Sequence, residues 1–378
     1  MGLIGTDLHT DSFFAVRERM TEKGRLVTEK KYALQGPSWE VFIKTLTRED
    51  YVLIEVTTNS FWFRERLLPF VRECFILNMN QVEFSGNKTD KIDARRLLDL
   101  LSYYVYVKGL SQLPSVYVPR PEVQRLRSML ATYRLQKRII VQIRNRIHSL
   151  FKQHGIATTR SKLFTKAGWN EAITAAPEEL RIHLGLLRKQ LREAKSAAED
   201  MADLIIDLGL KTFAEEVDLL FSIPGFGVFT AIVLLADVDN VHRFHTAKRF
   251  CKYLRTAPRI KESNSTTRLG PIGRQSRSMT CTILTQSVGY FKNAGPHFTS
   301  FYERVRVGKS PGRTRIALIR KMLVAAYYML KRGTKFHWAD NDLYQRKKDR
   351  VFREVKRIHE RSFEDMVAIA KEVIEKGA

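Results

Sequence analysis

Two long runs of apolar residues, spaced alternately by four and three, constrain the fold of this chain more than any other feature. They span residues 120–154 and 187–208, and a Gly-containing segment connects them. Such spacing places the apolar side chains on one face of an α-helix. The sequence therefore predicts a helical hairpin or coiled-coil arm, the alternative being two amphipathic helices within a core. The apolar positions are Leu126, Leu130, Tyr133, Ile140, Ile147 and Phe151 in the first run, and Leu187, Leu191, Ala194, Ala198, Met201, Ile205 and Leu208 in the second.

The first 108 residues alternate between strand-like and helix-like segments. Three short strand-like runs come first, and α/β alternation follows them. This order predicts a mixed sheet covered by helices, as in the ribonuclease H type of fold. The predicted strands are residues 3–7, 12–16, 25–28, 51–56 and 74–77, and the predicted helices are 38–47, 61–72 and a segment from about residue 90.

Positive charge is concentrated in three segments of the chain. Lys and Arg number 65 against 40 Asp and Glu, which gives a formal net charge of +25. Residues 120–160, 242–277 and 304–335 contain ten Lys or Arg each, with at most one carboxylate apiece. Because displaced counterions favour every cation that lies along a phosphate backbone, this distribution predicts binding to nucleic acid.

The remaining composition narrows the class of protein. Cys74, Cys251 and Cys281 are far apart and show no metal-ligand spacing, so we expect reduced thiols. The N-terminus lacks the pattern of a signal peptide, and no run approaches the roughly 20 apolar residues of a membrane span. We therefore expect a soluble, intracellular protein with no membrane partner.

Four carboxylates stand out in the predicted α/β domain. Asp7 ends the first strand-like run, Glu55 lies in an apolar run, and Asp90 and Asp93 are three residues apart at a helix start. A buried carboxylate needs a cation, hydrogen bonds or a metal ion. Oxygen ligands suit Mg²⁺, and a pair of ions can activate a nucleophile and stabilise a leaving oxygen. Together the four carboxylates predict a divalent-cation site.

A structural role is the alternative for each of these carboxylates. Asp90 would be a helix N-cap, and Asp93 would interact with the helix dipole in the first turn. Glu55 would form a salt bridge with Arg64 or Arg95.

Several motifs resemble those of the DEDD transposases of bacterial and archaeal insertion sequences, which are bridge-RNA-guided recombinases. The segment at residues 87–95 is the most specific, since it matches the family's NKTDxxDAR pattern. The similarity extends to about residue 338 in the family's order. The matching segments are GTD at 5–7, IEVT at 54–57, NKTDKIDAR at 87–95, RNRIHSL at 144–150, SIPGFG at 222–227 and APRIKES at 257–263.

The resemblance implies four regions. They are an α/β ribonuclease H-like (RuvC-like) DEDD domain at 1–112, an α-helical coiled-coil arm at 113–215, a mainly α-helical C-terminal transposase domain at 216–338, and a charged helical tail at 339–378. It further implies a cytoplasmic, nucleoid-associated protein of a prokaryote.

The resemblance also implies a catalytic site. It places the acidic set that binds Mg²⁺ or Mn²⁺ at Asp7, Glu55, Asp90 and Asp93, and a serine nucleophile at Ser263. The position after Ser263 is Asn where the family usually has Gly, and the family's downstream Lys-x-Gly pattern is replaced at 274–284. Spacing alone favours a structural role for Ser263, as a loop serine in a Ser/Thr-rich turn, and only the resemblance favours a nucleophile there.

The resemblance implies a transposase that excises and inserts a mobile element through a serine–DNA intermediate. The implied partners are double-stranded donor and target DNA, a structured noncoding guide RNA, and further copies of the chain in a homodimer or homotetramer. The residues expected to contact nucleic acid are Lys88, Arg95, Arg134, Lys137, Arg138, Arg144, Arg146, Arg255, Arg259, Lys261, Arg268, Arg274, Arg277, Arg313 and Arg315.

Two other functions fit the same residues. One is a metal-dependent, Holliday-junction-type nuclease that uses water, in which Ser263 has no role. The other is a non-catalytic RNA-binding scaffold whose carboxylates are structural.

Overall fold

The computed structural model describes residues 1–22, 24–82, 89–159, 161–263, 266–272 and 279–360, apart from the side chains at 80, 259–269 and 271. The chain forms two compact units, Met1–Val118 and Pro119–Ala378. In the described ranges, no helix is long and apolar enough to cross a membrane.

The first unit contains a mixed five-stranded sheet. Its strand order is β3-β2-β1-β4-β5, with β1, β2 and β3 antiparallel and β4 and β5 parallel to β1. Its elements are β1 Gly2–Leu8, β2 Ser12–Thr21, β3 Gly24–Ala33, α1 Pro37–Thr45, β4 Tyr51–Glu55, α2 Ser60–Leu67, β5 Glu73–Leu77 and α3 Asp90–Tyr103, followed by a π-helical turn at Tyr104–Lys108.

Helices cover both faces of this sheet. Alternate strand residues point to opposite faces, so Ile4 packs with the aromatic side chains beneath α1 and α2, whereas Leu3 and Leu53 pack against α3. Gly5 lies on the α3 face. A Cβ at Gly5 would collide with the carbonyl oxygen of Ala94 and with the backbone of Leu98. The absence of a side chain at Gly5 therefore allows α3 to lie directly against β1.

A buried ion pair stabilises the end of the sheet at which β1 begins. Asp50 is fully buried and accepts hydrogen bonds from Arg17 and from the backbone N–H groups of Gly2 and Thr47. A buried charge with a complete set of partners avoids the cost of an unpaired one. This cluster is structural and lies away from the predicted carboxylate site.

Two long antiparallel helices, α4 and α6, dominate the second unit. The end of α4, with Ile147 and Phe151, packs with Leu184 at the start of α6 and with the short helix α5. The other ends of both helices, including Leu126 and Phe213, join the large C-terminal core. Both sequence interpretations therefore hold in part, because one half of the hairpin has its own core and the other half belongs to a larger one. The bounds are α4 Pro121–Gln153, α5 Lys166–Thr174 and α6 Glu178–Phe221.

Further helices and a β-hairpin complete the described part of the second unit. The hairpin of β6 and β7 was not predicted from the sequence, where its residues were assigned only to a basic region. The C-terminal helix α13 packs along α6. The bounds are α7 Val228–Val238, α8 Ala247–Tyr253, β6 Pro258–Ser263, β7 Thr266–Ile272, α9 Met279–Leu284, α10 Val288–Lys292, α11 Pro296–Arg306, α12 Pro311–Arg332 and α13 Asn341–Glu360.

The coarse prediction of an α/β domain with a mixed sheet, followed by a helical region, is confirmed. The division into four regions stays a prediction, since the structure separates only two units, with a boundary at 118/119.

Candidate active site

The register of the sheet brings Asp7 and Glu55 to the same edge and the same face. β1 and β4 are parallel, with Thr6 beside Ile54, so Asp7 and Glu55 are the next residues of neighbouring strands. Side chains alternate along a strand, so both residues belong to the face that carries Gly5 and packs against α3. Because α3 begins at Asp90, its first turn lies at this edge of the sheet.

Asp7, His9 and Asp90 form a compact cluster. The His9 Nε2 atom lies 3.3 Å from the Asp7 Oδ2 atom and 3.3 Å from the Asp90 Oδ1 atom. The ligand atoms of the three residues all lie within 4.8 Å of one another. The Asp7 side chain is 12% exposed, whereas that of Asp90 is 43% exposed and also contacts Lys31 at 3.4 Å. The cluster therefore has a buried side at the sheet and an open side toward solvent.

Burial and neighbouring charges separate the two aspartates. Burial raises the pKa of Asp7; nearby His9 opposes this shift, while Asp90 and Asp93 add to it. For Asp90, partial desolvation is opposed by His9 and Lys31, and the net effect is a lowered pKa. Asp7 is thus a buried carboxylate with other carboxylates beside it, and a divalent cation would stabilise its charged form.

Asp93 and Glu55 lie at the margin of this cluster. The Asp93 Oδ1 atom pairs with the Arg96 Nη1 atom at 3.1 Å, and Asp93 is close enough to affect the pKa of Asp7. Glu55 is half-buried at the end of β4. Among the described residues, the group compact enough to hold a metal ion includes Asp7 and Asp90 but neither Asp93 nor Glu55.

Part of the structural alternative for these carboxylates is wrong. Thr89, and not Asp90, is the N-cap of α3, because its side chain accepts the backbone N–H of Ile92 at 3.3 Å. Asp90 is instead the first residue of the helix, so its carboxylate points away from the capping position and toward His9.

His9 is a residue of this cluster that was not predicted from the sequence. Its position two residues after Asp7, at the end of a strand, is the only signal that sequence offers, and a single His at such a place is common. His9 became notable only when the fold placed Asp90 beside it.

Ser263 belongs to the second unit. It is the last residue of β6, where its backbone pairs with Thr266 of β7 near the tip of the hairpin. Its side chain lies outside the described part of the structure.

The expected nucleic-acid contacts fall on several elements. Arg134, Lys137, Arg138 and Arg146 are exposed on α4, whereas Arg144 is half-buried, with its guanidinium 4.5 Å from the Phe164 ring. Arg95 on α3 pairs with Glu29 at 2.5 Å. Arg255 follows α8, and Arg313 and Arg315 are exposed at the start of α12. Three residues, Lys88, Arg274 and Arg277, lie outside the described residues, and only the backbone is described for Arg259, Lys261 and Arg268.

The motif at residues 222–227 forms a plain turn before α7. Gly225 has φ +87° and packs against Tyr290 and Phe291, where a Cβ would come within 2.8 Å of the Tyr290 Cβ. This turn begins near the start of the segment that matches a known family.

Residues 217–303 match the family described as Transposase IS116/IS110/IS902. Two relatives extend the similarity. The chain is 27% identical over 209 residues to the transposase for insertion sequence element IS1111A of Coxiella burnetii, covering 53% of each chain. It is 31% identical over 117 residues to an uncharacterized 43.6 kDa protein of insertion element IS110 from Streptomyces coelicolor, covering 31% of this chain and 29% of the relative.

Over these parts of its length, the chain is similar to proteins of insertion sequences. The chain spans about half the length of one relative and less than a third of the other.

Proposed function

We propose that this protein is an RNA-guided DNA recombinase that moves an insertion sequence through a serine–DNA intermediate, with divalent cations held by a DEDD site. The observation that carries the proposal is the convergence of Asp7 and Asp90 at the open edge of a mixed sheet. The strand order β3-β2-β1-β4-β5 supports the expectation of a ribonuclease H-like domain. The match of residues 217–303 supports activity in transposition.

The residues at the sheet edge fit a divalent cation. Asp7 and Asp90 would hold it, and Glu55 and Asp93 would complete the acidic set. His9 is a poorer ligand for Mg²⁺ than a carboxylate, so we assign it the role of a neighbour that contacts and orients the two aspartates. When bound, the cation would polarise the attacked phosphate and reduce its negative charge.

Ser263 would be the nucleophile in this mechanism. Its hydroxyl loses a proton as its oxygen bonds to phosphorus, the bond from phosphorus to one deoxyribose oxygen breaks, and that oxygen leaves with a proton. The phosphodiester energy is kept in the serine–phosphate bond, so a second DNA hydroxyl can reverse the step and rejoin the strand. Basic residues around Ser263 in sequence would stabilise the charge on the reacting phosphate.

A covalent-trapping experiment tests the reaction. The protein is incubated with Mg²⁺ and nicked DNA that carries the ends of the element, together with the RNA that copurifies with it. We expect a protein–DNA adduct that Ser263→Ala abolishes and Ser265→Ala does not. Strand cleavage that persists in Ser263→Ala without any adduct would show a nuclease that uses water.

Two further results would distinguish the recombinase from a non-catalytic scaffold and would test the RNA guide. If the protein is a non-catalytic RNA-binding scaffold, neither cleavage nor an adduct should appear with any DNA. Asp7→Ala should then leave every biochemical activity of the protein unchanged. Sequencing of copurified RNA tests the guide, since a single structured RNA encoded beside the gene is expected. A random population of cellular RNA would contradict RNA guidance.

A further inference from the structure

A large cleft lies in the second unit, between α12, α11 and the base of the β6–β7 hairpin. Its volume is about 1120 Å³. Pockets for single small ligands span roughly 300–1,000 Å³, so this cleft has room for more than one such group. The residues that line it are Thr256, Pro258, Gly270, Ile272, Phe301, Lys309, Ser310, Gly312, Arg313, Ile316, Ala317, Arg320, Lys321 and Val324.

One face of α12 forms the long wall of the cleft. The lining residues of this helix recur at spacings of three and one, which places them on a single helical face. The opposite face is buried in the C-terminal core through Leu318, Met322 and Leu323. The wall is therefore fixed in place by core packing. Its lining residues are Arg313, Ile316, Ala317, Arg320, Lys321 and Val324.

The charges along the cleft are all positive. Lys309 and Arg313 are exposed at its mouth, and Arg320 and Lys321 are half-buried farther along the wall. Among the residues that the structure describes, none of these four cations forms an ion pair and no carboxylate lines the cleft. The nearest part of α11 keeps its own acid, Glu303, paired with Lys292 at 2.9 Å and with Arg306 at 3.5 Å.

The apolar part of this α12 wall, between its cations, forms the floor of the cleft. Ile316, Ala317 and Val324 are only partly buried, and Phe301 and Ile272 face the same space. If only a phosphate backbone bound in the cleft, this apolar surface would stay in contact with water. A nucleobase has an apolar face that can cover the surface. Bases in a duplex are stacked between their neighbours and cannot reach such a floor without leaving the stack.

We infer that this cleft binds unpaired nucleotides, with phosphates at Lys309, Arg313, Arg320 and Lys321 and a base against the floor at Ile316 and Ala317. The inference rests on the proposed function, since it assumes that the chain acts on nucleic acid, and it specifies a strand that is locally single-stranded. A recombinase must hold unpaired strands while they are exchanged. The cleft adjoins the hairpin that carries Ser263 at its tip, so a strand held there would lead toward β6 and β7.

Binding of short labelled oligonucleotides tests this inference. The probes are one sequence as a single strand, as a blunt duplex, and as a duplex with one unpaired nucleotide, each made as DNA and as RNA. Fluorescence anisotropy is recorded without divalent ions and in the Asp7→Asn background, so the outcome does not depend on cleavage or on the carboxylate site. We expect the single strand and the bulged duplex to bind more tightly than the blunt duplex, and the preferred sugar identifies the natural strand.

Two variants separate the charged wall from the apolar floor. Lys309→Ala/Arg313→Ala should lower the slope of log affinity against log salt for the single strand by about 1.4, at about 0.7 for each phosphate that is no longer neutralised. Ala317→Leu fills the floor without changing charge and without adding a ring on which a base could stack. It should weaken single-strand binding roughly five- to 150-fold, the equivalent of one stacked base, while leaving the salt slope unchanged.

The charge-matched control is Lys331→Ala/Arg332→Ala, at the far end of α12 and outside the cleft. It should preserve the preference for unpaired nucleotides. If Ala317→Leu weakens the single strand and the blunt duplex equally, or weakens neither, the cleft does not hold a base and the inference is wrong. That result would leave the proposed recombinase reaction untouched, because adduct formation at Ser263 is measured separately.

Discussion

Asp7 combines burial with crowding by other carboxylates more than any other residue of the candidate active site. It lies at the end of β1 with a side chain 12% exposed, and its pKa is raised by burial and by Asp90 and Asp93. Residues whose pKa values are perturbed in this way are frequently functional, because a fold has no structural reason to collect like charges. His9 opposes this shift.

Replacing Asp7 should stabilise the ion-free protein. A carboxyl whose folded-state pKa is raised lowers stability as pH rises above its ordinary value, and Asn does not titrate. We therefore expect Asp7→Asn to raise the free energy of unfolding on the order of 1 kcal/mol at neutral pH, with a smaller gain near pH 4. Urea denaturation in EDTA measures both values.

Asp99→Asn is the matched control, since Asp99 is an exposed carboxylate on the same helix as Asp90 and Asp93, about two turns beyond them along α3. It should change the unfolding free energy little at either pH. A loss of stability in Asp7→Asn would mean that the Asp7 carboxylate is a net structural contributor, as the scaffold alternative requires.

Gly5 determines how closely helix α3 approaches the sheet. A Cβ there would meet the backbone of Ala94 and Leu98, which cannot rotate away as a flexible side chain would. The first turn of α3, which carries Asp90 and Asp93, depends on this approach. The geometry of the carboxylates is therefore set by a residue that has no side chain.

Gly5→Ala should destabilise the protein by about 1–3 kcal/mol, the usual cost of overpacking a core. It should also reduce DNA cleavage, because α3 must move away from β1. The control is Gly185→Ala on α6, where a Cβ meets nothing within 4 Å and the better helix propensity of Ala should give a small gain. Equal effects of the two changes would contradict a specific role for Gly5. Thermal unfolding and a cleavage assay provide the measurements.

Lys347 fixes α13 to the end of α6. Its Nζ atom donates to the carbonyl oxygens of Phe221 at 2.8 Å and Ile223 at 2.6 Å, and burial lowers its pKa to about 8, with Asp340 opposing that shift. A Lys with a lowered folded-state pKa makes a contribution to stability that is fully present above its unfolded pKa, and that is lost as pH falls toward 8.

The stability of the wild-type protein relative to Lys347→Met should therefore rise between about pH 8 and pH 10.5. Chemical denaturation of both proteins across this range measures the difference. Lys348→Met is the comparison, since the Asp218 and Tyr344 side chains raise the pKa of Lys348, so its contribution to stability should stay constant over this range and fall only above about pH 10.5. Parallel curves for the wild type and Lys347→Met would show that Lys347 is not desolvated.

Local patterns in the sequence predicted most elements but not the contacts between distant ones. The strands at 3–7 and 51–56 could be located from apolar runs, while their parallel pairing, which places Asp7 beside Glu55, depends on the whole sheet. β3 extends to Ala33, beyond the predicted end at 28, because it is an edge strand on which Lys30 and Lys31 remain exposed and Glu29 pairs with Arg95 of α3. The β6–β7 hairpin was missed, since its basic residues hid the alternation of a strand. His9 could not be chosen without Asp90 in place.

The two units differ in which charged residues they bring together. The first unit brings carboxylates together, whereas exposed cations follow α4 and α12 in the second. Excess positive charge promotes binding to any polyanion, so affinity for DNA should fall steeply with salt.

The exposed cations of α4 provide a quantitative test of this charge. If Arg134, Lys137 and Arg138 contact duplex phosphates, their combined change to Ala should lower the slope of log affinity against log salt by about 2.7, at about 0.9 for each phosphate. The control removes three cations from α6, Lys189, Arg192 and Lys195, and should lower the slope less. Equal slopes in both triple variants would place the DNA elsewhere. Filter binding over a salt series measures the slopes.

Direct titration of Mn²⁺, followed by electron paramagnetic resonance, tests the divalent-cation site that underlies the proposed reaction. The full chain should bind Mn²⁺, and Mg²⁺ should compete for the same site. Asp7→Asn/Asp90→Asn should abolish this binding while Asp99→Asn retains it. Binding of Mn²⁺ that survives the double change, or no binding to the wild-type protein with DNA present, would contradict a catalytic metal site at Asp7 and Asp90.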